Sequence, residues 1–310
     1  MPIDPQAQTI LNMMAEANLP PTNTLSPAQV RTNFRLRPIE SGPELFKVED
    51  CMVPGESGLL TARIYVPKRD ELLPILVWFH GGGWVVGDLD TTDGTARQLA
   101  EQGDCIIASI DYRLAPETKF PGPVEDCYAA TRWIAEHASE FGGDTKRIGV
   151  GGASAGANLA TCVSLMSRDR EAPSLMYQLL VYPVTGVDFN TNSYLKNADG
   201  YGLTRDTMIW YWDQYLKDDS DKKNPYAVPS VAQEFTGLPA ALIISAGFDP
   251  LCDDASSYAE LLRQGNNSVE YYHYEGMIHG FFGMTTNLDI AKKAVSDAAT
   301  AMKAAFANHS

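Results

Sequence analysis

The amino-acid sequence predicts an α/β fold: a central, mostly parallel sheet with helices on both faces. Three observations predict it. Short, continuous apolar runs recur along the chain. They alternate with segments of helical periodicity. A pair of segments with strand-like alternation precedes them. Runs of Val, Ile and Leu without polar alternation fit strands covered on both faces, which is the condition of a parallel sheet.

Residues 1–40 combine an amphipathic stretch, carrying Ile10, Leu11, Met14 and Ala17, with a Pro-rich turn region. Segments 46–53 and 59–66 alternate around "PGESG", a turn signal, and predict a hairpin. Six apolar runs follow: "ILVWF" (75–79), "CIIASI" (105–110), "RIGVGG" (147–152), "MYQLLVYPV" (176–184), "ALIISAG" (241–247) and "VEYYHY" (269–274). Helical patterns lie near 93–102, 122–139, 155–168, 253–264 and 289–306. Between 184 and 238 the alternation breaks. That insert is rich in Tyr, Trp, Asp and Asn and contains "TRDTMIWYWDQYL" (204–216), a helix with an aromatic face. An insert after a strand end of such a sheet sits where ligands bind, so it is expected to act as a cap. The expected organisation is an N-terminal cap segment (1–45), a first core part (46–184), a cap insert (185–237) and a second core part (238–310).

The net charge is −15, from 24 basic and 39 acidic residues. With no Lys/Arg cluster, nucleic acid and anionic membrane surfaces are excluded as expected partners, and a neutral substrate is favoured. The cysteines, Cys51, Cys105, Cys127, Cys162 and Cys252, are scattered and form no C-x-x-C pair. They predict buried thiols rather than a disulfide framework or a zinc site. The first 20 residues lack a basic region followed by an apolar run, and no stretch reaches 18 apolar residues without a charge. A cytoplasmic protein in a reducing compartment, with no stable membrane insertion, is the expectation.

The chemistry begins at "GVGGASAGANLA" (149–160). Gly151 and Gly156 have the spacing of a phosphate loop, but Ala157 and Asn158 stand where Lys and Ser/Thr are needed. What fits is G-x-S-x-G at Gly152, Ser154 and Gly156. In such an elbow the serine sits on a strained strand-to-helix turn, and positions two away must be nearly free of side chain. A second stretch, "HGGGW" (80–84), follows "ILVWF". Glycines let the chain turn N–H groups toward a developing oxyanion, each donor being worth about 3–4 kcal/mol. The residue after the serine, Ala155, supplies a further N–H.

A neutral serine needs a histidine to take its proton. His137 falls on an outer helix, His309 in the tail, and His273 in an apolar strand as a packed sheet residue. His279, in "EGMIHGFFG", follows a strand at the expected catalytic end. Asp249, in "ISAGFDPLCDD", holds the corresponding place after the preceding strand, while Asp253 suits the cap or first turn of the next helix.

These stretches resemble the hormone-sensitive-lipase family of serine carboxylesterases, within the α/β-hydrolase fold. The resemblance is carried by "HGGGW" (80–84), "DYRLAPE" (111–117), "FPGPVEDC" (120–127), "GASAGAN" (152–158), "DPLCDD" (249–254) and "HGF" (279–281), and runs from about residue 45 to the end. It implies a triad of Ser154, Asp249 and His279, and an oxyanion hole from the N–H groups of Gly82, Gly83 and Ala155. It also implies structural support from His80 and a homodimer. Ala153 departs from the Asp or Thr that many relatives carry before the serine, without removing a group acyl transfer needs. No cofactor or metal is expected.

The expected substrate is a small neutral ester with a short or medium acyl chain, bound by Trp84, Tyr182, Trp210 and Tyr211. An amidase or deacetylase would use the same residues. A non-catalytic receptor on this fold, as in the gibberellin receptors that resemble these esterases, would lack the histidine present here as His279.

Overall fold

The structure, a computed structural model of the chain, describes residues 2–36, 39–68 and 71–307. Two short helices come first, α1 (Pro5–Glu16) and α2 (Pro27–Phe34). Each starts as its sequence dictates. Asp4 accepts the N–H groups of Gln6 and Ala7, Ser26 and Gln29 form a capping box, and a proline occupies the first turn of both.

The predicted hairpin is β1 (Lys47–Gly55) with β2 (Gly58–Val66), paired antiparallel. The remaining strands are β3 (Leu73–Phe79), β4 (Ile106–Ile110), β5 (Gly143–Ala153), β6 (Tyr177–Val181), β7 (Ala240–Phe248) and β8 (Val269–Ile278). They form one eight-stranded sheet in the order β1-β2-β4-β3-β5-β6-β7-β8. The β2–β4 pair is antiparallel and every later pair is parallel.

Helices α3 (Asp93–Gly103) and α9 (Asp289–Ala307) cover one face. Helices α4 (Gly122–Glu136), α5 (Ala155–Asp169) and α8 (Cys252–Gln264) cover the other. Alternate residues of β3 feed the two cores: Leu76 and Trp78 face α3 and α9, while Ile75, Val77 and Phe79 face α4 and α5. The segment between β6 and β7 carries α6 (Asn192–Lys196) and α7 (Arg205–Tyr215).

Two elements end differently from their sequence pattern. The apolar run 176–184 stops pairing at Val181, because Tyr182 takes a left-handed φ of 37° and Pro183 follows it. The 122–139 pattern ends at Glu136. It gives way to a short 3₁₀ turn and to Gly142, at φ 80°.

The strand order fixes where a site can form. From β3 the chain crosses to β4 on one side, then returns to place β5 on the other. The loops leaving β3 and β5 therefore diverge and open a crevice at the carboxyl ends of adjacent strands. "HGGGW" leaves β3 there and "GASAGAN" leaves β5, with Phe79 and Gly152 as register partners.

Candidate active site

Ser154 occupies a turn that few side-chain-bearing residues adopt, with φ 58° and ψ −119°. Its N–H donates to the Val181 carbonyl at 2.8 Å, and α5 begins at the next residue. The flanking glycines are required by contact. A Cβ on Gly156 would lie 2.0 Å from the Phe79 carbonyl oxygen, and one on Gly152 would lie 2.4 Å from the Gly156 carbonyl carbon. The G-x-S-x-G spacing is thus set by how closely β3, β5 and α5 pass one another.

His279 follows β8 directly, and its Nε2 is 3.0 Å from the Ser154 Oγ. Its Nδ1 is 2.7 Å from Asp249 Oδ2. Asp249 follows β7, is fully buried, and accepts the Leu251 N–H on its other oxygen at 2.9 Å. A carboxylate only accepts, so the ring proton sits on Nδ1 and Nε2 is free to accept from the serine hydroxyl. Three residues spread over 125 positions therefore meet at the carboxyl ends of β5, β7 and β8.

The glycine loop faces the same point. Gly82 has φ 119° and Gly83 φ 58°, and the Gly82 carbonyl accepts the N–H groups of Val85 and Val86 at 3.1 and 3.0 Å. Among the described residues, no acceptor takes the N–H of Gly82 or Gly83. A Cβ on Gly83 would lie 2.2 Å from Tyr211 Cδ1, so the Tyr211 ring of α7 rests directly on this glycine. The N–H of Ala155 sits in the first turn of α5, where the helix dipole favours negative charge.

His80 is buried. Its Nδ1 donates to the Gly81 carbonyl at 2.8 Å, and its ring stacks on Tyr112 at 4.3 Å. The Tyr112 hydroxyl donates to the His80 carbonyl at 2.8 Å. Burial lowers the ring's pKa and keeps it neutral. It braces the start of the glycine loop and does not reach Ser154 by any hydrogen bond among the described residues.

Several expectations are corrected by packing. Trp84 is not part of a substrate wall: it is fully buried, stacked on Tyr215 at 4.4 Å and against Trp212 at 4.6 Å. Tyr182 is buried too, and its ring packs against His279 at 4.6 Å and Phe281 at 6.0 Å, so it backs the histidine instead of lining a pocket. Trp210 and Tyr211 are half-buried and meet edge to face at 5.3 Å beside the glycine loop. His273 lies on β8 as expected but is exposed, because β8 is an edge strand. His137 ends α4, stacked on Trp133, and His309 lies outside the described residues. Cys105, Cys127 and Cys162 are buried, Cys51 and Cys252 are half-buried, and all five are free thiols.

Other contributors leave no mark in the sequence pattern. The Asn197 side-chain amide donates to the carbonyls of Gly247 and Asp249 at 3.3 and 3.1 Å, fixing the turn that carries the acid. Asp253 lies in the first turn of α8, and its carboxylate also accepts the Ser193 N–H at 2.8 Å. Asp254 is buried and accepts the N–H groups of Thr185 and Gly186, both at 2.9 Å, which ties the end of β6 to α8. Among the described residues no group of three or more His, Cys, Asp or Glu side chains could hold a metal ion, and no helix is long and apolar enough to cross a membrane.

A sequence profile of the α/β-hydrolase fold matches residues 76–283. Carboxylic ester hydrolase LipN of Mycobacterium tuberculosis is 42% identical over 250 residues, 78% of this chain, and the chain spans 66% of LipN. Carboxylesterase NlhH of the same organism is 38% identical over 313 residues, 97% of each chain. Among solved structures, a hyperthermophilic esterase from Pyrobaculum calidifontis superposes with a TM-score of 0.93 at 38% identity, over 98% of this chain and 99% of that one. A serine on a strained turn between β5 and α5, in a chain aligned from end to end with esterases, leaves one assignment: this protein belongs to the hormone-sensitive-lipase-like family of the α/β-hydrolase fold.

Proposed function

We propose that the protein is a carboxylesterase that hydrolyses neutral esters of short to medium acyl chains at Ser154. The observation that carries this reading is the hydrogen-bonded relay from Ser154 through His279 to Asp249, beside N–H groups that no acceptor among the described residues takes.

The reaction runs in two halves. His279 Nε2 takes the hydroxyl proton as Ser154 Oγ attacks the acyl carbonyl. The N–H groups of Gly82, Gly83 and Ala155 hold the tetrahedral oxyanion. The imidazolium, stabilised by Asp249, returns the proton to the departing alcohol. Water then repeats the sequence on the acyl-enzyme and restores the serine. Every proton moves between Ser154, His279, the ester and the hydrolytic water.

Chain length follows from the cap. The Tyr211 ring on Gly83 and the Trp210 ring beside it leave aromatic surface over the glycine loop and favour compact acyl groups. The test is a series of p-nitrophenyl esters of increasing acyl length. The expected result is a maximum in kcat/KM at short or medium chains. Folded protein inactive on every ester would overturn the assignment, and a maximum at long chains would overturn the chain-length reading. An amide series on the same preparation checks the amidase alternative, which shares the relay.

A further inference from the structure

The glycine loop is gripped from outside the sheet. Arg31, near the end of α2, donates from Nε to the Val85 carbonyl at 2.8 Å and from Nη2 to the Ala115 carbonyl at 2.8 Å. Glu117 closes the fork, accepting Nη1 and Nη2 at 2.8 and 2.6 Å. Ala115 in turn donates its N–H to the Trp84 carbonyl at 2.8 Å. Val85 is thus held at both ends: its N–H donates to Gly82 and its carbonyl accepts from Arg31.

The same stretch fastens the other cap helix. Lys119 Nζ donates to the carbonyls of Asp213 and Leu216 at the end of α7, at 2.8 and 2.6 Å. The Phe120 N–H donates to the Tyr215 carbonyl at 2.9 Å. Residues 115–120 therefore fasten α2, α7 and the glycine loop to one another.

We propose that Arg31 is a positioning residue for the oxyanion hole. One guanidinium fixes the carbonyls of Val85 and Ala115 together, and so holds the Gly82 turn with its N–H groups aimed in front of Ser154. The inference rests on the ester-hydrolase reading above. Arginine suits the task because its planar fork serves two carbonyls and a carboxylate at fixed angles, which a lysine ammonium does not reproduce. The ion pair with Glu117 by itself adds little stability. The Glu117 side chain is 63% exposed, and exposed ion pairs contribute little to stability. Val85 and Ala115 are themselves buried, so loss of Arg31 leaves two carbonyls of the loop without their donor, and the expected consequence is a loosened loop.

The test compares the full chain with Arg31→Ala, Arg31→Lys and Ser154→Ala. The readouts are kcat, KM and inhibition by phenylboronic acid, which takes a tetrahedral, oxyanion-like form on the serine. Arg31→Ala is expected to lower kcat about ten- to hundredfold, with KM within about threefold, because misplaced donors cost transition-state binding. Boronate affinity should fall in parallel with kcat, and Arg31→Lys should lie between Arg31→Ala and the parent. A kcat and boronate affinity within about twofold of the parent, in folded Arg31→Ala, would overturn the proposal. So would a change confined to KM. If Arg31→Ala does not fold, Arg31→Lys decides: full kcat and boronate affinity overturn the proposal, and their parallel loss supports it. Ser154→Ala keeps the two readings separable. If it still hydrolyses esters, the assignment of the site fails. If it abolishes hydrolysis while the Arg31 variants are unaffected, only the role of Arg31 fails.

Discussion

Two serine–histidine contacts form around the same sheet. Ser154 Oγ is 3.0 Å from His279 Nε2, and Ser245 Oγ is 2.8 Å from His273 Nδ1. The second contact is the shorter one, yet everything around it differs. Ser245 and His273 are register partners inside the β7–β8 ladder, and Ser245 is fully buried. Its other contact is the Tyr271 hydroxyl at 2.7 Å. Ser154 instead stands on a turn beyond the strand end, with Asp249 behind its histidine and the glycine loop before it. Hydrogen-bonding distance alone does not set the two apart. What does is a strained turn at the carboxyl end, an acid that fixes the ring tautomer and N–H donors without acceptors among the described residues.

The strongest way to break this contrast is to remove each histidine. His279→Ala is expected to lower kcat by about 10⁴–10⁶, as for loss of a general base in a serine relay. His273→Ala should leave kcat within about threefold. Equal losses in ester assays would erase the distinction.

A smaller loss is expected at the donors that only the first contact possesses. Gly83→Ala places a Cβ 2.2 Å from Tyr211 Cδ1 at a backbone φ of 58°, so the loop must move. The expected fall in kcat is about 10²–10³ with the protein still folded. Unchanged kcat would remove Gly83 from the oxyanion hole.

Ser245→Ala sharpens the comparison from the other side. It deletes the hydroxyl shared by Tyr271 and His273, and should cost about 1–3 kcal/mol in urea unfolding with kcat unaltered. A loss of activity without a loss of stability would give this contact a role in the reaction.

The smallest effect concerns the two buried carboxylates that follow β7, one serving a histidine and one serving backbone. Burial pushes the Asp254 carboxyl up to about 7, against the opposing N–H bonds from Thr185 and Gly186. The folded protein then holds the Asp254 proton more tightly than the unfolded chain. The resulting stabilisation is fully present below about pH 4 and is lost as pH rises through about 7. Urea midpoints for Asp254→Asn should therefore fall less than those of the parent between pH 5 and pH 8. Parallel pH profiles would show that Asp254 is ionised throughout that range.

Much of this site was legible because its constraints are local in sequence. Gly152 and Gly156 stand within five residues of sequence and together report a close backbone approach, and the glycines after His80 report a loop whose amides turn inward. The apolar runs located the strands, and position after a strand selected His279 and Asp249. The errors arose where burial is decided by distant partners. Trp84 follows the glycine loop yet points into a stack with Trp212 and Tyr215. Tyr182 backs His279 because a left-handed backbone at the end of β6 turns its ring that way. His273 is exposed because β8 has no neighbouring strand on its outer side among the described residues.

The sequence by itself determined the parallel sheet and the glycine-flanked turn at Ser154, and it pointed to Ser154, Asp249 and His279, which the fold brings into hydrogen-bond contact. Each of these depends on residue type at short spacing, or on apolar runs that only a doubly covered sheet accommodates. Tertiary structure alone decided the relay's geometry, the burial of Trp84 and Tyr182, and the grip of Arg31 on the glycine loop. Those depend on strand order and on side-chain directions set by packing between segments that lie tens to hundreds of residues apart.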